Sequence, residues 1–482
     1  MSQPTRPTRP PQAVRRPGDR VVRRAVLRTE TVKLRPPRPP RRGRPVALTL
    51  VYGFIGLIAL GTALLSLPIA TASGERAPLV DALFTATSAV CVTGLVVHDT
   101  GTYWSRFGQA VILLLIQAGG FGFATSATLL LVTIGHRATL RERLACGFSL
   151  GADTTAPGEI LRLVRRFAVL TFLIELAGAL LLLPRALDVH PPGHAIWWSL
   201  FHSVSAFNNA GFDITGGYRS LIPYQRDPWV LLTIGLLIVL GGLSFVVLGD
   251  IVAERRWRRL TVDSKLVLTT TGFLLLIGTV AFLLIESSNP ATLGRLDWGS
   301  RLLNALFHSI TPRTAGFNAV DMSALREETL FLITALMFIG GASGSTAGGI
   351  KVQTFSLLFF AILASVQGHT RVVAFGREVP HVQVYRALAV ALLSIAVVFS
   401  VALTLALTIE TRFIDVWFEA VSAFGTVGLS TGITPELNTV GRLILIATMF
   451  TGRLGPLTLA LALAARTRPS PVRYAPETVR LG

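Results

Sequence analysis

The chain has 482 residues, 51% of them hydrophobic and 15% charged, against about 25% charged in ordinary soluble domains. Forty-five basic residues stand against 26 acidic ones, a net charge of +19. Together with a mean hydropathy of +0.59, this argues against a single soluble domain or a disordered chain. The two cysteines, Cys91 and Cys146, exclude a disulfide-stapled secreted scaffold and have no metal-site spacing.

Residues 1–45 hold 14 of the 45 basic residues and ten prolines. Such a segment cannot bury enough apolar surface to fold, so a disordered, partly polyproline-like tail is expected. It is too long, basic and proline-rich for a signal peptide. Arg41, Arg42 and Arg44 adjoin the first apolar segment, where they suit a cytoplasmic flank or, more sharply, contact with anionic lipid. Nucleic acid is not expected as a partner, because no aromatic residue precedes Tyr52 to stack on bases.

Apolar runs predict spanning helices at 46–68, 106–134, 166–184, 228–253, 265–286, 329–364, 383–410 and 438–465, since a crossing needs about 20 apolar residues. The linkers alternate in charge. One side, with both chain ends, collects 32 basic residues and the other ten, which places both termini in the cytoplasm of a cell-membrane protein.

The four outward linkers share a pattern: a short apolar stretch, then small residues ending in glycine. Gly94, Gly211, Gly316 and Gly428 are separated by 117, 105 and 112 residues. Phe84, Phe201 and Phe418 each precede their glycine by ten positions, whereas Phe307 precedes Gly316 by nine, so the third copy is one residue shorter or differently aligned. A Ser-Ala pair precedes the glycine by six and five positions in copies one, two and four; the third has Ile310-Thr311. A repeat of this kind is one supersecondary unit used four times.

Stretches such as 79–90 and 195–207 are too short to span and suit helices that enter the membrane and turn back. Irregular backbone at that depth must be buried in protein or line a watery cavity. The expected fold is all-α and integral to the membrane: eight spanning helices and four re-entrant helices in four helix–loop–helix repeats around a pseudo-fourfold axis. A dehydrated monovalent cation needs oxygens in place of its water shell, and a ring of backbone carbonyls supplies them. The expected ion-binding residues are Val92, Thr93 and Gly94; Asn209, Ala210 and Gly211; Thr314, Ala315 and Gly316; and Thr426, Val427 and Gly428. Thr426-Val427-Gly428 repeats the start of the potassium-channel filter motif.

Val-Thr-Gly-Leu at 92–95, Asn-Asn-Ala-Gly-Phe at 208–212, Arg-Thr-Ala-Gly-Phe at 313–317 and Thr-Val-Gly-Leu-Ser at 426–430 resemble the four filter loops of the Trk/Ktr/HKT superfamily, in particular the bacterial Ktr-type membrane subunit. The resemblance covers about 46–465. It implies potassium uptake, with a sodium-preferring or non-selective cation channel of the same fold as the alternative. It further implies a homodimer with one pore per protomer, and a separate cytosolic ring of nucleotide-binding regulatory subunits. Potassium is then the substrate, sodium a candidate activator, and no bound cofactor is expected. Glycine in all four positions matches the potassium-selective members; some plant relatives carry serine in the first and favour sodium.

The predicted span 329–364 is interrupted by Gly340, Gly341, Gly344, Gly348 and Gly349, followed by Lys351. No helix stays intact through that run, at about 1 kcal/mol per glycine. It is not a phosphate-binding loop, because Val352 stands where Ser or Thr is required. The alternatives are a kinked packing helix or a flexible loop below the filter. The resemblance makes 340–351 the gating loop, with Lys351 at its cytoplasmic end. Arg453 lies inside the last span, where a charge needs a cavity or a partner. The resemblance gives it the role of an electrostatic barrier in the pore; the alternative is an ion pair with Glu175.

Asp99, Asp213 and Asp321 follow filter glycines and are equally suited to concentrating cations at the mouth or to ordinary loop solvation. His202 and His308 read as helix packing. No paired carboxylates, Cys/His pair or zinc motif suggests an enzyme, and no span carries the regular arginines of a voltage sensor. The organisation expected is a tail at 1–45, repeats at 46–135, 136–254, 255–365 and 366–466, and a tail at 467–482.

Overall fold

A computed structural model describes residues 46–122 and 157–455. The basic tail, the ends of the second and last predicted spans, most of the first cytoplasmic linker and the C-terminal tail lie outside the described residues.

The described chain is mostly helical. The first group is α1 (Val46–Leu65), α2 (Leu79–Val90) and α3 (Arg106–Phe121). The second is α4 (Pro157–Val189), α5 (Pro192–Phe207) and α6 (Pro228–Gly242), followed by α7 (Phe245–Glu254). Next come α8 (Val262–Glu286), α9 (Trp298–Ile310), α10 (Glu327–Phe338) and α11 (Val352–Val366). The last are α12 (His381–Ala406), α13 (Phe413–Gly425) and α14 (Thr439–Leu454). Local chemistry sets their starts. Pro78 and Pro191 precede α2 and α5, while Ser105, Asp227, Thr261, Asp297 and Asn438 cap α3, α6, α8, α9 and α14 by accepting from backbone N–H groups of the first turn.

Arg165–Val189, Val262–Glu286 and His381–Ala406 are each long and apolar enough to cross a membrane, and α3 and α11 are shorter apolar helices. Leucines and phenylalanines on their outer faces, such as Leu173 and Leu180 on α4, Leu276 and Leu284 on α8 and Phe399 and Leu403 on α12, are exposed. Continuous apolar surface of that kind suits lipid rather than water. The short helices α2, α5, α9 and α13 lie inside, with Phe84, Phe201, Phe307 and Phe418 buried.

The short helices α2, α5 and α13 each pack between the long helices of their own group and one from the preceding group, while α9 packs on α8 and on α6 of the preceding group. Thus α3 meets α5, α6 meets α9, α10 meets α13, and α14 returns to α2, which closes the circuit.

Two features depart from the sequence reading. The fourth predicted span is not one helix: α6 and α7 meet at a 95° bend. Gly241 and Gly242 end α6, and Ser244 restarts the helix by accepting from Val246 N at 3.2 Å. The fold is also not purely helical. Strands β1 (Val372–Ala374) and β2 (Arg377–Val379) form an antiparallel hairpin between α11 and α12. Its two-residue turn, Phe375-Gly376, has φ of 49° and 77°, the left-handed pair that such a turn requires. The sixth predicted span is broken between α10 and α11, as its glycines led one to expect.

Candidate functional site: four loops at a common centre

Each short helix ends in a loop of the same conformation. The residue two before the glycine is left-handed in every copy: Val92 (φ 56°), Asn209 (φ 56°), Thr314 (φ 73°) and Thr426 (φ 50°). The glycines themselves have φ of 92°, 70°, 79° and 91° at 94, 211, 316 and 428. Glycine adopts this at little cost, but β-branched Val92, Thr314 and Thr426 do not, and each such residue stores roughly 1–3 kcal/mol of strain. Surrounding bonds hold them. Ser88 and Ser422 hydroxyls accept from the N–H groups of Gly94 and Gly428, each at 3.1 Å. Ser205 donates to Phe212 O at 2.7 Å and Thr311 to Phe317 O at 2.6 Å. Thr311 therefore occupies the serine position, and the third copy lacks one residue between it and Gly316.

The glycines touch in a ring. A Cβ built on Gly94 would lie 3.0 Å from the Cα of Gly211, one on Gly211 3.0 Å from Gly316, one on Gly316 3.2 Å from Gly428, and one on Gly428 3.0 Å from Gly94. Each would also strike the carbonyl oxygen before the next glycine, those of Ala210, Ala315, Val427 and Thr93 in turn. The buried hydroxyls of Thr93, Thr314 and Thr426 have no hydrogen-bond partner among the described residues. Orphaned buried oxygens beside converging carbonyls are unusual in a packed core and suit an ion that borrows oxygen ligands.

All four glycines line one cavity of about 500 Å³, shared with Asp213, Asp321 and Glu436. Glu436 gave no signal in sequence, because it belongs to no motif. Asp99 does not join them: it accepts from Thr102 N at 2.8 Å and Tyr218 N at 2.7 Å and so holds two loops together. Burial pushes the Asp213 carboxyl up to about 7, against the N–H of Thr215, and Asp99 adds to the rise. His202 Nδ1 donates to Trp198 O of its own helix at 2.8 Å, and His308 accepts from Ala319 N at 3.2 Å, which agrees with packing roles.

On the other side of the ring lies the glycine-rich loop. Its ends are pinned together, since Gly340 N donates to Ile350 O at 2.8 Å and Val352 N to Gly341 O at 3.1 Å. Its middle hangs from the end of α6: Ala342 N donates to Gly242 O at 3.0 Å and the Thr346 hydroxyl to Gly241 O at 2.9 Å. Gly348 fits directly against the Thr426 side chain, and a Cβ on Gly340 would sit 3.2 Å from Thr314 Cγ2. Gly344 and Gly349 are left-handed, with φ of 73° and 61°. Lys351 Nζ folds back onto Ala347 O at 2.5 Å.

Arg453 reaches this loop. Its guanidinium donates to Thr346 O, and to Gly119 O at 2.6 Å. The alternative pairing with Glu175 does not occur; Glu175 instead accepts from Asn208 Nδ2 at 2.8 Å. Three helical glycines escaped the sequence reading. Gly119, Gly241 and Gly452 have no room for a side chain because the carbonyls of Val90, Phe207 and Phe424, at the ends of short helices, rest on them. Their spacing follows no single repeat, so only the packing reveals them.

An apolar helical bundle around four glycine loops that meet one another, with a cavity on one side, has the make-up of an integral membrane protein. Residues 44–472 match the family TrkH, described as cation transport protein. The chain is 42% identical to the Ktr system potassium uptake protein B of Bacillus subtilis over 427 residues, 88% of this chain and 94% of that one. It is 38% identical to the potassium/sodium uptake protein NtpJ of Enterococcus hirae, covering 92% and 98% of the two chains. The crystal structure of the potassium transporter TrkH from Vibrio parahaemolyticus has the same fold, with a TM-score of 0.69 at 19% identity over 88% of this chain and 86% of that one. The chain belongs to the TrkH cation transport family and is a membrane protein.

Proposed function

We propose that this chain takes up potassium through a filter of backbone carbonyls contributed by four re-entrant loops. The observation that carries the reading is the closed cycle of glycine contacts from Gly94 through Gly211 and Gly316 to Gly428 and back. In this reading the carbonyls of Ala210, Ala315, Val427 and Thr93, each lying against the glycine of the neighbouring loop, are the ion ligands. Relatives named as potassium uptake proteins at 42% and 39% identity supply the ion. Inward movement would follow the membrane potential, about 2.3 kcal/mol per charge per 100 mV.

In this reading eight spans and four re-entrant helices form the repeats at 46–135, 136–254, 255–365 and 366–466, with both termini cytoplasmic. Residues 340–351 form the gate: the loop packs under Thr314 and Thr426, and Arg453 holds it with a charge placed near the ion path. The word "system" in the relatives' names fits a separate partner subunit, read here as a cytosolic nucleotide-binding ring, and a homodimer belongs to the same reading. A second reading, sodium-preferring or non-selective conduction, is favoured by the potassium/sodium name of the Enterococcus relative.

The test is rubidium or potassium uptake into proteoliposomes with sodium as competitor, comparing the wild type with Gly316→Ser. Selective uptake that collapses in the variant is expected. Unchanged selectivity and flux in the variant would count against the filter, and wild-type uptake abolished by equimolar sodium would favour the second reading.

A further inference from the structure

We propose that Arg313 is a latch that ties the third filter loop to the gating loop, so that the loop cannot leave the pore without releasing the filter's own backbone. The inference rests on reading 340–351 as a gate and assigns a residue to hold it shut.

Arg313 stands three residues before Gly316, inside the third loop. It is 7% exposed. Its Nη2 donates to Gly340 O at 3.1 Å, while Nη1 has no partner among the described residues. A buried guanidinium at membrane depth is expensive and marks function by default. The corresponding positions of the other loops, Cys91, Asn208 and Gly425, are uncharged.

The exception falls on the repeat whose second helix gives way to the glycine-rich loop. In the other repeats a glycine near the end of the second helix, Gly119, Gly241 or Gly452, lies under the end of the short helix. In the third, α10 ends at Phe338. A positive charge at a helix C-terminus offsets the exposed carbonyl dipoles, and Arg313 meets the chain two residues beyond that end. Gly340 also forms the base of the gating loop, through its bond to Ile350 O. The next residue of the filter loop, Thr314, touches Gly340 as well. One side chain thus joins the filter backbone to the pinned ends of the loop.

There is room for the latch to open. A cavity of about 20 Å³ adjoins Arg313 and Gly341, walled by Ile238, Leu243, Thr271 and Leu275. That is space for about one water, which could take over the donor when the loop departs. Arg453 grips the same loop from the opposite side at Thr346, so the loop is held between two arginines, one from a filter loop and one from the last helix.

The test reads loop release rather than transport. Full-length protein with Cys91→Ala, Cys146→Ala and Ser345→Cys is labelled in detergent with a hydrophilic maleimide, with and without changes at Arg313. Arg313→Gln is expected to label about ten-fold faster, the scale of one lost charge-assisted hydrogen bond. Arg313→Lys, which keeps the charge and one donor, should fall between the two. Equal labelling rates in all three overturn the latch. If Arg313→Gln does not fold, Arg313→Lys at the wild-type rate overturns it alone. Rubidium uptake by the same proteins separates this inference from the functional reading: absent uptake in the wild type defeats the transport proposal, whereas labelling decides the latch whatever the ion.

Discussion

Arg442 and Asp81 are 361 residues apart in the chain, yet the arginine Nη1 lies 2.5 Å from the carboxylate Oδ1. Asp81 sits in the first turn of α2 and Arg442 in the first turn of α14, so the pair joins the beginning of the circuit of helices to its end. Asp81 also bonds His98 Nε2 at 2.8 Å. Both members of the Arg442 pair are largely shielded, with side chains 21% and 6% exposed.

Removing the Asp81 charge leaves the shielded Arg442 guanidinium with only its bond to Pro435 O, a loss of up to about 3 kcal/mol. Asp81→Asn should lower the thermal midpoint of the purified protein in detergent clearly, while Arg371→Ala, which removes an exposed pair with Glu378, should leave it within about a degree. A fluorescence melting curve on the two variants checks this; equal midpoints would mean the closure does not depend on the ion pair.

Gly428 is the tightest joint of the ring, against Thr93 O. Replacement by alanine or serine adds a side chain where φ is 91° and space is absent. Uptake of rubidium should fall by about ten-fold or more, because a strain of about 1–2 kcal/mol acts on the proposed ion ligands themselves. Gly56→Ala offers the control, since nothing lies within 4 Å of that position and uptake should be kept.

Arg453→Gln loses the bond to Gly119 O and the grip on Thr346 O. With each charge-assisted bond contributing about 1.5–3 kcal/mol, the loop should release more often and basal uptake should rise several-fold. Uptake at or below the wild-type rate, in protein that melts normally, would show that Arg453 does not hold the gate closed.

Asp213 supplies a pH dependence. Its carboxyl titrates near 7 because burial disfavours the charged form. Above that pH the cavity gains a negative charge that concentrates cations; below it the group is neutral and the attraction is lost. The KM for uptake should therefore rise as external pH falls from 8 to 6. Asp213→Asn should fix KM at the high, acid-side value at every pH, and a variant that keeps the wild-type pH profile would remove Asp213 from the explanation.

Much of this molecule follows from local pattern. Membrane class, the broken sixth span and the four glycine repeats come from runs of apolar residues and from glycines at set offsets, and both act through the residues beside them in the chain. Arg453 stood out for the same reason, as a charge among apolar neighbours.

Contacts through space settle the remainder. The left-handed turns at Val92, Thr314 and Thr426 contradict local preference and persist because bonds from Ser88, Thr311 and Ser422 hold the loops. The bend between α6 and α7 needs Gly241 pressed under Phe207. Asp99 is taken up by Tyr218, leaving Asp213 in the cavity, and Arg453 chooses Thr346 and Gly119 over Glu175. These outcomes depend on which distant segments meet, and the energies that select among them arise only when the helices have closed their circle.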